Sequence, residues 1–342
     1  MSLKNLSVKI KIPKLLEKKI INKRVKQIYK KFEKSLNIKE HFAVAVSGGP
    51  DSLALAFLAK IYSIKWNLKA KFFIVDHKLR PESTKEAKFV KSILKKNLIN
   101  SQILTLSKKK LSKKTQSFAR KKRFELLFAS CDKFKINNIL LGHHQDDLFE
   151  NFFIRMLRGS GLKGLISLDK KVKINDKNLL RPLLDQKKEN LIFISTNVFD
   201  TYVQDPSNKD KKYQRTKIRN LIEGLNKNGL DKGKFLKTIK NLKYSNEAVG
   251  FYVNKNLHEN SYYSNKKKQL ILNKCFFQQP YEVIFRGLSE SIRLVGRKYY
   301  SARGRKIDKI IYDIENNQSF RATLGGCLIE KVSKTVIITK EH

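Results

Sequence analysis

Two short stretches of this chain hold residue types that can do chemistry. The first is Ser47-Gly48-Gly49-Pro50-Asp51-Ser52, set between the apolar runs Phe42–Val46 and Leu53–Ala59. Gly48 and Gly49 leave the backbone unobstructed, so N–H groups can converge on an anion. Pro50 suits a first helical turn, where its missing N–H matters little. Ser47 and Ser52 add hydroxyls, and the start of a helix adds partial positive charge, so a phosphate is favoured here. Asp51 would repel that phosphate unless a cation lay between them, which implies Mg²⁺. The loop has no lysine, unlike the Gly-Lys-Ser/Thr phosphate loop. An N-capped helix after an ordinary turn is the plainer alternative, but the full hexapeptide behind an apolar strand outweighs it.

The second stretch is "LLGHHQDDLFENFFIRMLRGSGLKGL", Leu140–Leu165. A helix starting at His143 places His143, Asp147 and Glu150 at i, i+4 and i+7 on one face, with Asp146 at its margin. Carboxylates there suit Mg²⁺, and the histidine suits a substrate or phosphate. Asp51 and Asp147 are the expected metal ligands; a solvated helix face with an acidic first turn is the plainer alternative for the second stretch. "GSGLKG" matches the dinucleotide pattern GxGxxG but follows a helix instead of a strand, which excludes that reading. A close-approach loop at the rim of the site is expected instead.

The elements that must position these residues alternate. Strands are expected at Phe42–Val46, Lys71–Val75, Gln102–Leu106 and Asn138–Leu141, with helices from about Asp51, over Ser83–Lys95, over Gln116–Cys131 and from His143. This order predicts an α/β fold, a doubly wound, mostly parallel sheet covered on both faces. Ligands in such sheets sit beyond the carboxyl ends of the strands, where the singled-out residues fall. Residues 1–40 read as one or two basic amphipathic helices packed on this domain, with Leu16, Ile20, Ile21, Val25, Ile28, Phe32 and Leu36 at helical intervals and RNA contact from the basic face as the alternative role. The main domain is set at 41–222. "EGLNKNGLDKGKF" then reads as a linker, and 223–342 as a smaller α+β domain. Its helical stretches should run to about Ile314, followed by two or three strands turning at Gly325-Gly326 and Ser333-Lys334.

The formal net charge is +44, with 74 Lys and Arg against 30 Asp and Glu. Such an excess points to a polyanionic partner, nucleic acid before membrane. Part of the lysine content is open to a bland reading as compositional drift. Cys131, Cys275 and Cys327 form no CxxC pair, which argues against a zinc ribbon or disulfide framework and fits a reducing cytoplasm. No apolar run is long enough to span a membrane, and no signal peptide is expected.

Ser-Gly-Gly-x-Asp-Ser resembles the PP-loop of the N-type ATP pyrophosphatases. Further segments are similar to one family within them, tRNA(Ile)-lysidine synthase: "VDHKLRPES" (Val75–Ser83), "ARKKRFELL" (Ala119–Leu127), "GHHQDDLFEN…RGSGLKGL", "RPLL" (Arg181–Leu184) and "QDPSNKDKKYQRTKIRN" (Gln204–Asn220). The resemblance spans roughly Phe42–Ile222. It departs at Thr216, where Asn is expected after Arg215. It implies an enzyme that uses ATP to adenylate C2 of the wobble cytidine of an isoleucine tRNA with a CAU anticodon. Free L-lysine then displaces AMP, giving lysidine.

By that resemblance, Ser47, Gly48, Gly49, Pro50 and Ser52 cradle pyrophosphate, and Asp51, Asp147 and Glu150 hold Mg²⁺ or orient the reacting groups. Arg123, Arg215 and Arg219 neutralise phosphate, His143 contacts nucleotide, and Asp76 and His77 flank the adenosine. A helix-capping turn stands as the alternative for Asp76 and His77. "RKYYSARGRK" (Arg297–Lys306) reads as an RNA contact through Arg297, Arg303 and Arg305, or as a charged helix connection. The rival readings are a 2-thiocytidine-type thiolase, disfavoured by the scattered cysteines, and a non-catalytic RNA-binding protein, which leaves the carboxylates beside the loop unexplained. Oligomeric state is open, a homodimer included.

Overall fold

A computed structural model describes residues 12–76, 78, 82–106, 116–174, 176–203, 214–298 and 302–341. His77, most of the Gln204–Asn220 segment before Gln214, and Tyr299–Ser301 lie outside the described residues. The chain divides into two units, Met1–Leu230 and Asp231–His342.

The first unit opens with helices α1 (Lys14–Ile20) and α2 (Lys23–Leu36). Asn22 caps α2 by accepting the N–H groups of Arg24 and Val25. The spaced apolar residues Val25, Ile28, Phe32 and Leu36 are buried in one core with Phe42, Leu55 and Leu58. Then come β1 (Phe42–Val46), α3 (Pro50–Lys65), β2 (Ala70–Asp76), α4 (Ser83–Lys96), β3 (Ser101–Thr105), α5 (Gln116–Lys133), β4 (Asn138–Leu140) and α6 (Gln145–Met156). The unit continues through α7 (Leu162–Leu165), β5 (Lys171–Ile174), β6 (Lys177–Leu180), α8 (Lys188–Phe199) and α9 (Gln214–Lys227).

The sheet order is β3-β2-β1-β4-β6-β5. Every pairing is parallel except β5 with β6. This is the expected doubly wound α/β sheet. The chain leaves β1 in one direction, towards β2 and β3, and β4 joins β1 on its other side. The switch point therefore opens beyond the carboxyl ends of β1 and β4. Helix α3 is apolar all round, and Leu53–Ala59 are completely buried because the helix is covered on every side.

The second unit contains α10 (Lys232–Asn260), β7 (Ser261–Ser264), β8 (Gln269–Leu272), a 3-10 turn at Lys274–Phe277, α11 (Tyr281–Val295) and α12 (Gly304–Asn316). β9 (Phe320–Leu324), β10 (Cys327–Val332) and β11 (Thr335–Lys340) complete an antiparallel sheet ordered β7-β8-β11-β10-β9. Gly325 and Gly326 have φ of 67° and 77°, the left-handed pair that a two-residue hairpin demands. The β7–β8 hairpin interrupts the stretch expected to be helical up to Ile314. Its sequence lacks a Gly or Asn-Gly turn signal, and the left-handed position is taken by Lys268, φ 51°. No helix among the described residues is long and apolar enough to cross a membrane.

Candidate active site

The loop between β1 and α3 is folded largely by Ser52. Its hydroxyl is buried and accepts the backbone N–H of Ser47 and of Gly48, at 3.1 and 3.0 Å, and donates to Gly49 O at 3.0 Å. The Ser47 hydroxyl lies 3.1 Å from it. Ser52 thus shapes the loop, which leaves the N–H groups of Gly49, Asp51 and Ser52 as the orphan donors of the α3 N-terminus. Pro50 occupies the first turn, as its φ restriction favours.

The two glycines differ in kind. Gly48 has φ 92°, and a Cβ there would meet Val90 Cγ2 at 2.4 Å. Gly49 faces open space: a Cβ there would meet no atom within 4 Å. Gly48→Ala is therefore expected to lower the melting temperature by several degrees, from about 1–3 kcal/mol of strain. Gly49→Ala should melt like the wild type and lose ATP affinity alone. Thermal melts beside ATP titrations separate the two; equal melting of both variants would remove this distinction.

Gly142, just past β4, backs the loop. A Cβ on it would lie 3.2 Å from both Cα and N of Ser52. It allows the β4 end to approach the first turn of α3, a role that sequence reading did not single out.

Helix α6 begins at Gln145, later than expected, so His143 precedes the helix and does not share a helical face with Asp147 and Glu150. His144 takes the N-cap instead. Its Nδ1 accepts the Asp146 N–H at 3.2 Å, and Asp147 Oδ2 accepts the His144 N–H at 2.9 Å. With Nδ1 accepting, the proton sits on Nε2, which lies 3.5 Å from Asp51 Oδ2 and 3.7 Å from Asp147 Oδ2. Burial pulls the His144 pKa down, but the hydrogen bond and charge of Asp51 and the charges of Asp147 and Asp146 outweigh it, and it is raised. The Asp147 carboxyl, pushed up by burial, is held below the usual range by His144, His143 and the His144 N–H, with help from Arg215. His144 is the residue that joins the two stretches, and sequence reading missed it.

His143 is oriented from another direction. Arg181, buried in the "RPLL" segment, donates Nε–H to His143 Nδ1 at 3.2 Å and Nη1–H to Asp169 O at 2.6 Å. Glu150 is buried, and its Oε1 accepts from Arg219 Nε at 2.5 Å, with Arg215 Nε 3.9 Å from Oε2. Burial lowers the Arg219 pKa, yet Glu150, Asp147 and Asp51 raise it further. One guanidinium on α9 therefore feels all three carboxylates. Thr216, the departure from the expected motif, is buried on the same helix.

The structure thus brings together Ser47–Ser52, His143, Asp147, Glu150, Arg215 and Arg219. Arg123 lies on α5, with its guanidinium over the Phe124 ring. Asp76 is buried and engaged in its own turn: Oδ1 accepts from Lys78 N and Ser83 Oγ, and Oδ2 from Thr84 Oγ1. Burial raises its pKa, but these hydrogen bonds and Lys78 hold it below the usual range. Arg297, Arg303 and Arg305 fall in the second unit, Arg303 as the N-cap of α12.

A cation has acceptors waiting for it. Asp51 Oδ1 and Glu150 Oε2 are buried without a hydrogen-bond partner among the described residues. Asp147 Oδ2 is engaged by the His144 cap. No group of three or more metal-ligating side chains occurs among the described residues. That donor set fits Mg²⁺, which is usually held by one or two carboxylates together with substrate phosphates and water.

A family model described as a PP-loop domain matches residues 17–225. The chain is 32% identical over 308 residues to the tRNA(Ile)-lysidine synthase of Wolbachia sp. subsp. Brugia malayi, covering 87% of this chain and 70% of the relative. It is 33% identical over 312 residues to that of Orientia tsutsugamushi, covering 87% and 69%. Against that of Rickettsia bellii it is 28% identical over 339 residues, covering 92% and 74%. Among solved structures, the U34-tRNA thiolase NcsA from Methanococcus maripaludis shares the fold, with a TM-score of 0.55 at 18% identity over 64% of this chain and 78% of that one. A phosphate-cradling loop at the switch point, acids gathered beside it and relatives of this extent lead to one assignment: the chain belongs to the tRNA(Ile)-lysidine synthase family of PP-loop ATP pyrophosphatases.

Proposed function

We propose that this ATP-using, tRNA-modifying ligase joins free L-lysine to C2 of the wobble cytidine in an isoleucine tRNA with a CAU anticodon, through an adenylated cytidine, releasing AMP and pyrophosphate. The observation that carries this reading is the pair of buried carboxylate oxygens on Asp51 and Glu150 that accept no hydrogen bond among the described residues. An ATP split between its α and β phosphates needs a phosphate cradle and a cation at that place, and the family match supports a tRNA as the acceptor.

Mg²⁺ would be held by Asp51 and Glu150 and would supply charge neutralisation of the leaving pyrophosphate. The chain's own groups do the rest. Gly49, Asp51 and Ser52 N–H groups hold phosphate, and Ser52 keeps the loop shaped around it. Arg219 and Arg215 stand ready to offset charge on the departing group. Arg181 occupies His143 Nδ1 as an acceptor, so the His143 proton sits on Nε2, from which it can be offered to the nucleotide. Arg123 and His77 are proposed as phosphate and adenosine contacts from the resemblance alone.

The second unit, Asp231–His342, is proposed to grip the tRNA; it begins later than the expected 223 because Glu223–Lys227 continue α9 and Lys232–Phe235 open α10. The first turn of α12 is basic, with Arg303, Arg305 and Lys306 and no acid, an arrangement that suits a phosphate backbone better than the isolated helix. Residues 1–40 serve as an extension of the catalytic domain.

The test is incorporation of labelled lysine into an unmodified CAU-anticodon isoleucine tRNA transcript, with pyrophosphate release measured in parallel. Stoichiometric lysine, AMP and pyrophosphate is the expected result. Activity on a different tRNA, or sulfur transfer in place of lysine, would reassign the substrate.

A further inference from the structure

Helix α2 carries Lys23, Lys26, Lys30, Lys31 and Lys34, all exposed, on the side opposite its buried apolar face. Its one acid, Glu33, is already engaged. Lys23–Lys26, Lys26–Lys30, Lys30–Lys34 and Lys31–Lys34 are like-charged pairs at i,i+3 or i,i+4 spacing, each of which disfavours a helix. The arrangement is stable only because the apolar face is held in the core, and it leaves a ridge of uncompensated positive charge.

At the end of that ridge lies an open depression of about 420 Å³, lined by Lys30, Glu33, Lys34, Asn37, Tyr62 and Trp66. Trp66, the single tryptophan of the chain, is 49% exposed. Its ring is fixed: Nε1–H donates to Glu33 Oε1 at 3.0 Å, and Tyr29 OH donates to the same oxygen at 3.1 Å. Lys65 Nζ pairs with Glu33 at 2.7 Å, so the carboxylate is neutralised. A locked, half-exposed indole rimmed by lysines has the make-up of a base-stacking platform with phosphate contacts on either side.

The platform is far from the reaction. α3 runs 16 residues from the phosphate loop to Lys65, about 24 Å at 1.5 Å per residue. One ligand touching both ends must be a large polyanion. A membrane surface does not fit, because the apolar face of α2 is buried in the protein and cannot enter a bilayer.

We infer that the Lys23–Lys34 ridge of α2 and the Trp66 platform bind the tRNA body away from its anticodon, stacking one unpaired base on Trp66. This rests on the proposed tRNA substrate. It adds a contact on the catalytic unit itself, independent of the second unit.

The experiment compares the wild type, Lys26→Gln/Lys30→Gln/Lys34→Gln and Trp66→Ala. Each is titrated with full-length CAU-anticodon isoleucine tRNA and with its isolated anticodon stem-loop, at several salt concentrations. For full-length tRNA the lysine variant should lower the slope of log affinity against log salt by about two to three, and Trp66→Ala should weaken binding about tenfold. Affinity for the stem-loop should not change, and Trp66→Phe should restore most of the loss. Unchanged affinity for full-length tRNA overturns the inference. So does equal weakening for both RNAs. A wild type that binds neither RNA removes the tRNA reading as well, whereas unchanged variants beside a binding wild type remove this inference alone.

Discussion

Replacing Asp51 by asparagine is expected to slow lysine incorporation about 10²–10³-fold while tRNA affinity and melting temperature stay near wild type. The amide would keep the shape of the side chain, and its carbonyl can still accept from His144 Nε2–H, which now lies 3.5 Å from Asp51 Oδ2. What the change removes is charge at the buried oxygen Oδ1, which has no hydrogen-bond partner among the described residues. That oxygen would bind Mg²⁺ between the loop and the phosphates, and a neutral amide there is a weak ligand for a hard cation. Asp51→Ala, which also strips the acceptor from His144, should abolish turnover. Pyrophosphate release and labelled lysine incorporation measure the effect, with tRNA binding as the control. Turnover within a few-fold of the wild type in the asparagine variant would remove Asp51 from the chemistry. A large loss of melting temperature would assign it a structural part instead.

The parallel sheet was legible because short apolar runs such as β1 and the centre of β2 alternate with segments of helical length. Phe42–Val46 and the helix beginning at Pro50 leave little choice of reading. The two hairpins were not. β5 reads "KVKI", and β7 "SYYS" leaves Tyr262 exposed, so neither shows an apolar run, and a lysine holds the left-handed turn position of the second. The site was legible in its acids and loop, since Asp51 opens the helix after β1, and Asp147 and Glu150 lie on the helix after β4. His144 was hidden by a shift in where α6 starts. Beginning the helix at His143 gives the helical face to His143, whereas the structure makes His144 the cap. Histidine is not a usual N-cap residue, and its pairing with Asp51 depends on the β1–β4 adjacency that only the folded sheet creates. Arg181 and Gly142 were hidden for the same reason, as their partners His143 and Ser52 come from other segments.

The Glu150–Arg219 pair should carry both stability and rate, and a double-mutant cycle can divide the two. Glu150 is buried on α6, Arg219 lies on α9, and their 2.5 Å contact joins residues 69 positions apart in sequence. Arg219→Ala leaves a buried carboxylate with Arg215 at 3.9 Å as its nearest described cation. It is expected to destabilise the unit by about 2 kcal/mol, below the usual range for a buried pair because the guanidinium is partly exposed. Glu150→Gln removes the charge but keeps a hydrogen-bond acceptor for Arg219, so it should melt closer to the wild type. It should nevertheless react about 10²-fold more slowly, because the Oε2 that accepts no hydrogen bond loses its charge. In the double variant neither charge is stranded, so the stability losses should fall short of additive by about 1–2 kcal/mol. The rate losses should not cancel, because removing both groups restores neither a metal ligand nor a cation beside the leaving pyrophosphate. Thermal melts and single-turnover rates on the three variants decide between these outcomes. If rate recovered along with stability in the double variant, Glu150 and Arg219 would be a clasp between α6 and α9 and nothing more. If stability recovers and rate does not, the same contact that docks α9 onto α6 also places its arginine where the phosphates must lie.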